Sequence, residues 1–146
     1  MKKIATLILS LLAFAAVASA QSKALGIRIG GDGEVSYQHW LGKNFVEADL
    51  GIGFAHKGVQ LSGIYDFAIF NKKGFCFYAG PGAQFTFINS TNVDSKVSLG
   101  IGGQMGFEYD FAQIPLNIGL DWRPMWLFGS NRSAWSSIAL SFRYRF

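Results

Sequence analysis

The sequence is short of cysteine, of charge and of unbroken apolar runs. One cysteine, Cys76, in 146 residues excludes an internal disulfide framework and any multi-cysteine zinc site. Only 15% of the residues are charged, well below the usual quarter, while 50% are hydrophobic and 16% aromatic. Disorder needs the reverse balance, so this chain is built to fold. The net charge of +4 falls to +2 once Lys2 and Lys3 are set aside, too small a surplus to point to nucleic acid. After Gln21 no run of 18 apolar residues occurs, so no transmembrane helix is available. Residues 21–146 suffice for one domain.

What is present begins with an export signal. Lys2 and Lys3 form a positive start, Ile4 to Val17 is apolar apart from Thr6 and Ser10, and Ala18-Ser19-Ala20 offers a small-residue cleavage site. Residues 1–20 are expected to be a signal peptide, with residues 21–146 the mature domain. Gln21 is not a cysteine, which argues against a lipoprotein.

Beyond it the hydrophobic period is two. Ile138, Leu140, Phe142, Tyr144 and Phe146 alternate with Ala139, Ser141, Arg143 and Arg145. The same alternation recurs around Leu25–Ile29, Val46–Phe54, Val59–Ile69, Phe75–Phe87, Val97–Tyr109 and Leu116–Trp126. Glu34–Leu41 is the weakest strand, because His39 falls on its apolar side and Trp40 on its polar side. Gly80-Pro81-Gly82 interrupts the fifth strand and is expected to form a bulge or bend, since proline cannot donate to the ladder. Eight strands separated by turn-forming connectors predict an all-β, eight-stranded antiparallel up-and-down barrel. Asn89–Lys96 and Gly129–Ala134 are the polar connectors expected to face outward, opposite shorter periplasmic turns.

Alternation alone leaves two barrels open. A soluble ligand-binding barrel turns its apolar face inward, whereas a transmembrane barrel turns it out to lipid. Three features favour the second. Lys23, Lys43, Lys57, Lys72, Lys73 and Lys96 all sit at the start of the mature chain or in connectors, not on the polar strand face that a soluble barrel would clothe with lysine. That face instead carries Arg28, Arg123, Arg143 and Arg145 against Glu47, Asp49, Asp66, Glu108 and Asp121, a set suited to mutual pairing in a luminal ion-pair network. Aromatics cluster near both strand ends, with Trp126 and Phe87 at one and Phe107, Tyr109, Tyr144 and Phe146 at the other, as membrane-interface girdles would.

With these residues in view, the chain from Ala24 to Phe146 resembles the small eight-stranded outer-membrane barrels, the porin-like barrel-domain proteins of Gram-negative bacteria. The most specific element is Leu140-Ser141-Phe142-Arg143-Tyr144-Arg145-Phe146. Leu140, Phe142, Tyr144 and Phe146 resemble the C-terminal signal read by the barrel assembly machinery. Tyr78-Ala79-Gly80-Pro81-Gly82-Ala83 is a weaker match. The resemblance implies a monomer embedded in outer-membrane lipid and lipopolysaccharide, delivered by periplasmic chaperones, with no cofactor and no nucleic acid. It leaves function open, because one scaffold serves many tasks. The expected role is non-enzymatic, in envelope integrity or surface contact through the outer connectors. Passive transport of a small or apolar solute and lipid modification are the alternatives.

The enzyme alternative finds little in the residues. Some barrels of this kind use a His with a Ser and an acidic partner on acyl chains. Here His56 lies in a connector, while Ser62 and Asp66 run inward along the fourth strand. Glu47 and Asp49 share a strand face and are expected to pair with Arg143 and Arg145 rather than bind a metal. Cys76 is read as a small inward-facing filler.

Overall fold

The computed structural model describes residues 22–53, 58–90, 93–128, 133–134 and 137–146. Residues 1–20 (expected to be a signal peptide), His56 and most of the Gly129–Ala134 connector lie outside them. The strands are β1 (Lys23–Ile29), β2 (Gly33–Leu41), β3 (Asn44–Gly53), β4 (Gly58–Lys72), β5 (Phe75–Ser90), β6 (Val93–Asp110), β7 (Leu116–Trp122), β8 (Met125–Phe128), β9 (Ser133–Ala134) and β10 (Ile138–Arg145).

Successive strands from β1 to β7 pair antiparallel, β8 pairs with β6 and β9, and β10 pairs with both β7 and β1. The sheet therefore closes on itself. β7 and β8 are one barrel strand interrupted at Arg123-Pro124: both pair with β6, at Met105↔Trp122 and Gly102↔Met125, without a change of register. The amide of Gly103 still donates to the carbonyl of Pro124. β9 continues the wall beside β8 as β10 does beside β7. The result is an eight-stranded antiparallel closed barrel.

Following paired Cα atoms round the wall from Leu25 leads through Tyr37, Ala48, Gly63, Ala83, Ile101 and Trp126 to Ser133. The path starts near one end of the barrel and finishes near the other. That offset is the stagger that barrel closure demands of tilted strands. The seam is drawn shut at its end by two backbone hydrogen bonds, from the Lys23 amide to the Phe146 carbonyl (3.2 Å) and from the Phe146 amide to the Lys23 carbonyl (2.9 Å).

Two hairpins at one end are tight. Gly42 (φ 79°) and the pair Lys73 (φ 54°) and Gly74 (φ 85°) take the left-handed backbone that two-residue hairpin turns require.

Two expectations need correction. Gly80-Pro81-Gly82 carries no register shift: Gly82 pairs with Ile64 and Ala79 with Phe67 in one continuous register. The irregularity lies on the neighbouring strand, between Ala68 and Phe70. Gly80 and Pro81 have no ladder partners on β4, where proline has no N–H to offer, while Pro81 keeps Gly103 opposite it on β6. Asn89–Lys96 is not an outer loop. β5 runs to Ser90 and β6 starts at Val93, with Ile88 opposite Lys96 and Ser90 opposite Val93. The polar composition had suggested a loop, but a hairpin arm can carry polar residues in a ladder once it needs no apolar face.

The side-chain ordering is inside out for a water-soluble protein. Arg143 is 0% and Arg123 1% exposed, while Ile52, Val97 and Trp126 are 64%, 64% and 63% exposed. The apolar face of every long strand points outward, and the polar face points into the lumen.

Candidate functional site

The lumen holds a connected ionic chain. Arg28 on β1 donates from Nε to both oxygens of Asp121 at 3.0 Å and from Nη1 to Glu34 Oε2 at 2.8 Å. The same Glu34 oxygen lies 3.4 Å from Arg123 Nη1. Arg123 Nη2 reaches Glu47 Oε1 at 2.8 Å and Asp49 Oδ2 at 2.5 Å. Glu47 Oε2 is 3.0 Å from Arg143 Nη2, and Arg143 Nη1 is 4.0 Å from Glu108 Oε2. Glu34 and Glu47 each bridge two guanidiniums, so the pairs form one network rather than separate bridges.

Topology makes this network span the lumen. In the ring of eight, β3 stands opposite the β7/β8 strand. The Arg123 contacts with Glu47 and Asp49 therefore cross the full width of the lumen. Arg143 ties β10 to β3 through Glu47 and to β2 through Ser36 Oγ, 2.9 Å from its Nε. An eight-stranded barrel is narrow enough for side chains to fill it.

Small residues create the room. Gly119 faces inward on β7, and a Cβ there would stand 2.6 Å from Ser141 Oγ and 3.5 Å from Arg143 Nη1. At Gly106 a Cβ would stand 2.6 Å from the Tyr78 hydroxyl. These glycines sit where the largest luminal side chains lie.

All nine residues of the expected network occupy the luminal face or its rim, with two differences in pairing. Arg145 sits at the rim, 2.5 Å from Asp110, with its guanidinium 5.8 Å from the Trp40 ring centroid. Arg123 takes the place beside Glu47 and Asp49 that the spacing of Arg143 and Arg145 had suggested for Arg145. Asp66 accepts from Gln104 Nε2 at 3.2 Å, and among the described residues no guanidinium is within ion-pair distance of it.

The near balance of charge read from the sequence is also incomplete. Arg28, Arg123, Arg143 and Arg145 face Glu34, Glu47, Asp49, Asp66, Glu108, Asp110 and Asp121. The acidic surplus is met by neutral donors. Gln38 donates to Glu47 (2.9 Å) and Glu108 (3.2 Å), Gln60 to Glu34 (2.9 Å), and Asn117 to Asp110 (2.6 Å). Gln104 accepts from Arg123 Nε at 2.6 Å while donating to Glu47 and Asp66.

Several of these were missed in the sequence. Glu34 was legible: the turn after Ile29 sets it directly across from Arg28. Phe45 was legible too, because it shares the phase of Glu47. It is fully buried in the lumen with Cys76 and Tyr78, and Trp40 and Ala68 pack against this cluster. The Trp40 and Phe45 rings are tilted to each other with centroids 4.7 Å apart, and Phe45 meets Tyr78 edge-on at 5.1 Å. The odd phase of β2 is thus resolved: Trp40 belongs to an aromatic cap at the tight-turn end, and His39 faces outward.

Comparison with protein-family models, curated proteins and solved structures returned no match.

Ser62 and Asp66 are buried on the luminal face of β4. His56 falls outside the described residues, so the His, Ser and acidic set has no geometry to assess. Among the described residues no group of three or more His, Cys, Asp or Glu side chains is arranged to hold a metal ion. Leu140, Phe142 and Tyr144, expected from the sequence to form an assembly signal with Phe146, point outward from β10, and Phe146 ends the seam.

Proposed function

We propose that the chain is a non-enzymatic outer-membrane β-barrel of a Gram-negative envelope. It acts as a lipid-embedded structural element with a filled lumen. The observation that carries this reading is the inverted ordering of side chains. A band of exposed Ile, Leu, Val and Phe encircles a desolvated ionic interior. In water such a surface would drive association. In hydrocarbon it is the favoured state, and barrel closure leaves no backbone group unpaired at an edge.

The proposal includes delivery by the N-terminal signal, with periplasmic chaperones and the assembly machinery acting on the last strand. The protein would be a monomer among phospholipid and lipopolysaccharide. The short hairpin at 90–93 argues for envelope integrity over a large contact surface.

The test combines fractionation and conductance. The reading expects the protein in the outer-membrane fraction, with heat-modifiable gel mobility, and no steady current across a planar bilayer. Recovery in the soluble periplasm rejects the membrane assignment. A steady single-channel step rejects the filled lumen and favours solute transport. An altered lipid A acyl pattern in cells carrying the protein rejects the non-enzymatic role.

A further inference from the structure

A basic cluster lies outside the lumen at one end of the barrel. Among the residues with described side chains, the outward or turn-borne charges are Lys23, Lys43, Lys72, Lys73 and Asp32. Lys23 opens β1, Lys43 sits in the β2–β3 turn, and Lys72 and Lys73 close β4 at its turn into β5. Antiparallel order places all four at one end, while Asp32 lies in the turn at the opposite end, where β6 also carries Lys96. The carboxylate nearest the lysine end, Asp110, is engaged by Arg145 and Asn117.

Just inside the lysines lies a belt of outward rings. Phe75 and Tyr109 are 4.7 Å apart, Tyr109 and Phe111 4.9 Å, Phe77 and Phe107 4.7 Å, and Tyr65 and Phe67 5.0 Å. Above the belt the wall is mainly aliphatic, with Leu50, Leu61, Leu99 and Leu140, and Phe85 among them. The order is therefore cation, ring, aliphatic chain. It matches phosphate, glycerol level and acyl tail in a lipid leaflet. Lysine suits this position, because its flexible stem can lie along the rings while the ammonium reaches a mobile phosphate.

We propose that the lysine-bearing end is a docking surface for anionic phospholipid headgroups of the phosphatidylglycerol type. It would gather them from the leaflet it faces. This inference rests on the membrane reading above. An acidic protein or nucleic acid would meet the lysines but not the ring belt directly behind them. A lipid engages both.

The test uses the mature chain refolded into phosphatidylcholine vesicles, doped with spin-labelled phosphatidylglycerol or spin-labelled phosphatidylcholine. The motionally restricted fraction of each label reports association with the barrel. The expected result is a several-fold preference for phosphatidylglycerol, with about fivefold per lysine as the ceiling set by surface electrostatics. The preference should shrink in high salt. It should fall to about parity in the triple variant Lys43→Gln, Lys72→Gln, Lys73→Asn, a comparison governed by the same electrostatics. Asparagine at 73 tolerates the left-handed backbone, so the turn is kept. Equal association of both labels with the wild type overturns the proposal, as does an undiminished preference in the triple variant. Loss of the preference on adding inorganic phosphate at constant ionic strength overturns the lipid assignment in favour of a free-phosphate site. If the protein fails to float with vesicles and restricts neither label, the membrane reading itself fails and this inference with it.

Discussion

Arg123 Nη2 lies 2.8 Å from Glu47 Oε1, and the two residues come from opposite walls of the barrel. Both side chains are almost fully buried, so neither charge has water to fall back on. A buried pair of this kind is weak evidence of net stabilisation, but breaking it on one side is costly. Its geometric effect is to hold two facing strands at a fixed separation.

We predict that Arg123→Ala destabilises the barrel by ~3–5 kcal/mol, because Glu47, Asp49 and Glu34 lose a shared cation. The urea unfolding midpoint of refolded protein is the measurement. Adding Asp49→Asn should recover part of the loss, since a neutral amide then replaces a stranded carboxylate. An unchanged midpoint in the single variant would falsify the plug.

Packing around the network gives a second prediction. Gly119→Ala should cost ~1–3 kcal/mol, because its methyl meets the Ser141 hydroxyl backed by Arg143. Gly63→Ala is the control. It faces outward with nothing within 4 Å of the new methyl, and should be neutral or slightly stabilising. Equal effects at both sites would mean that the lumen is looser than described.

The outer face can be tested without reference to the lumen. Leu120 is 52% exposed on the outer wall, opposite Phe107 and Leu140. Facing hydrocarbon, Leu120→Arg should cost ~2–4 kcal/mol. Facing water, the same change should stay within about 0.5 kcal/mol. Unfolding measured in lipid vesicles separates the two outcomes.

The outward alternation and the luminal arginines were legible because a period of two survives wherever one face meets a uniform medium. What was not legible depends on partners brought close by closure. Arg123 was visible as an inward charge, but only the ring order reveals that it faces Glu47. Trp40 looked like an error of phase, because alternation assumes one environment along a whole strand. At the barrel end the lumen turns apolar, and Trp40 follows Phe45 and Tyr78. The run 89–96 misled for the converse reason: polar residues mark contact with water, and water does not forbid pairing.

The final strand supplies the fourth prediction. Phe146→Glu should reduce the fraction of protein that reaches a folded, heat-modifiable state in cells, because it alters the residue proposed to be read during assembly. In vitro refolding into detergent should be affected far less. Equal loss in both settings would reassign Phe146 from sorting to stability, and full folding in cells would remove its special role.

The reciprocal bonds between Lys23 and Phe146 make the two ends of the described wall immediate neighbours. Every other neighbouring pair of long strands is brought together by a short connection, so the β1–β10 contact carries the greatest chain-closure entropy and should form last. The topology is consequently indifferent to where the polypeptide is cut. A permuted gene that joins these ends through a short linker and opens at Gly42-Lys43 should trace the same cylinder, with the rate-limiting closure moved to β2 and β3.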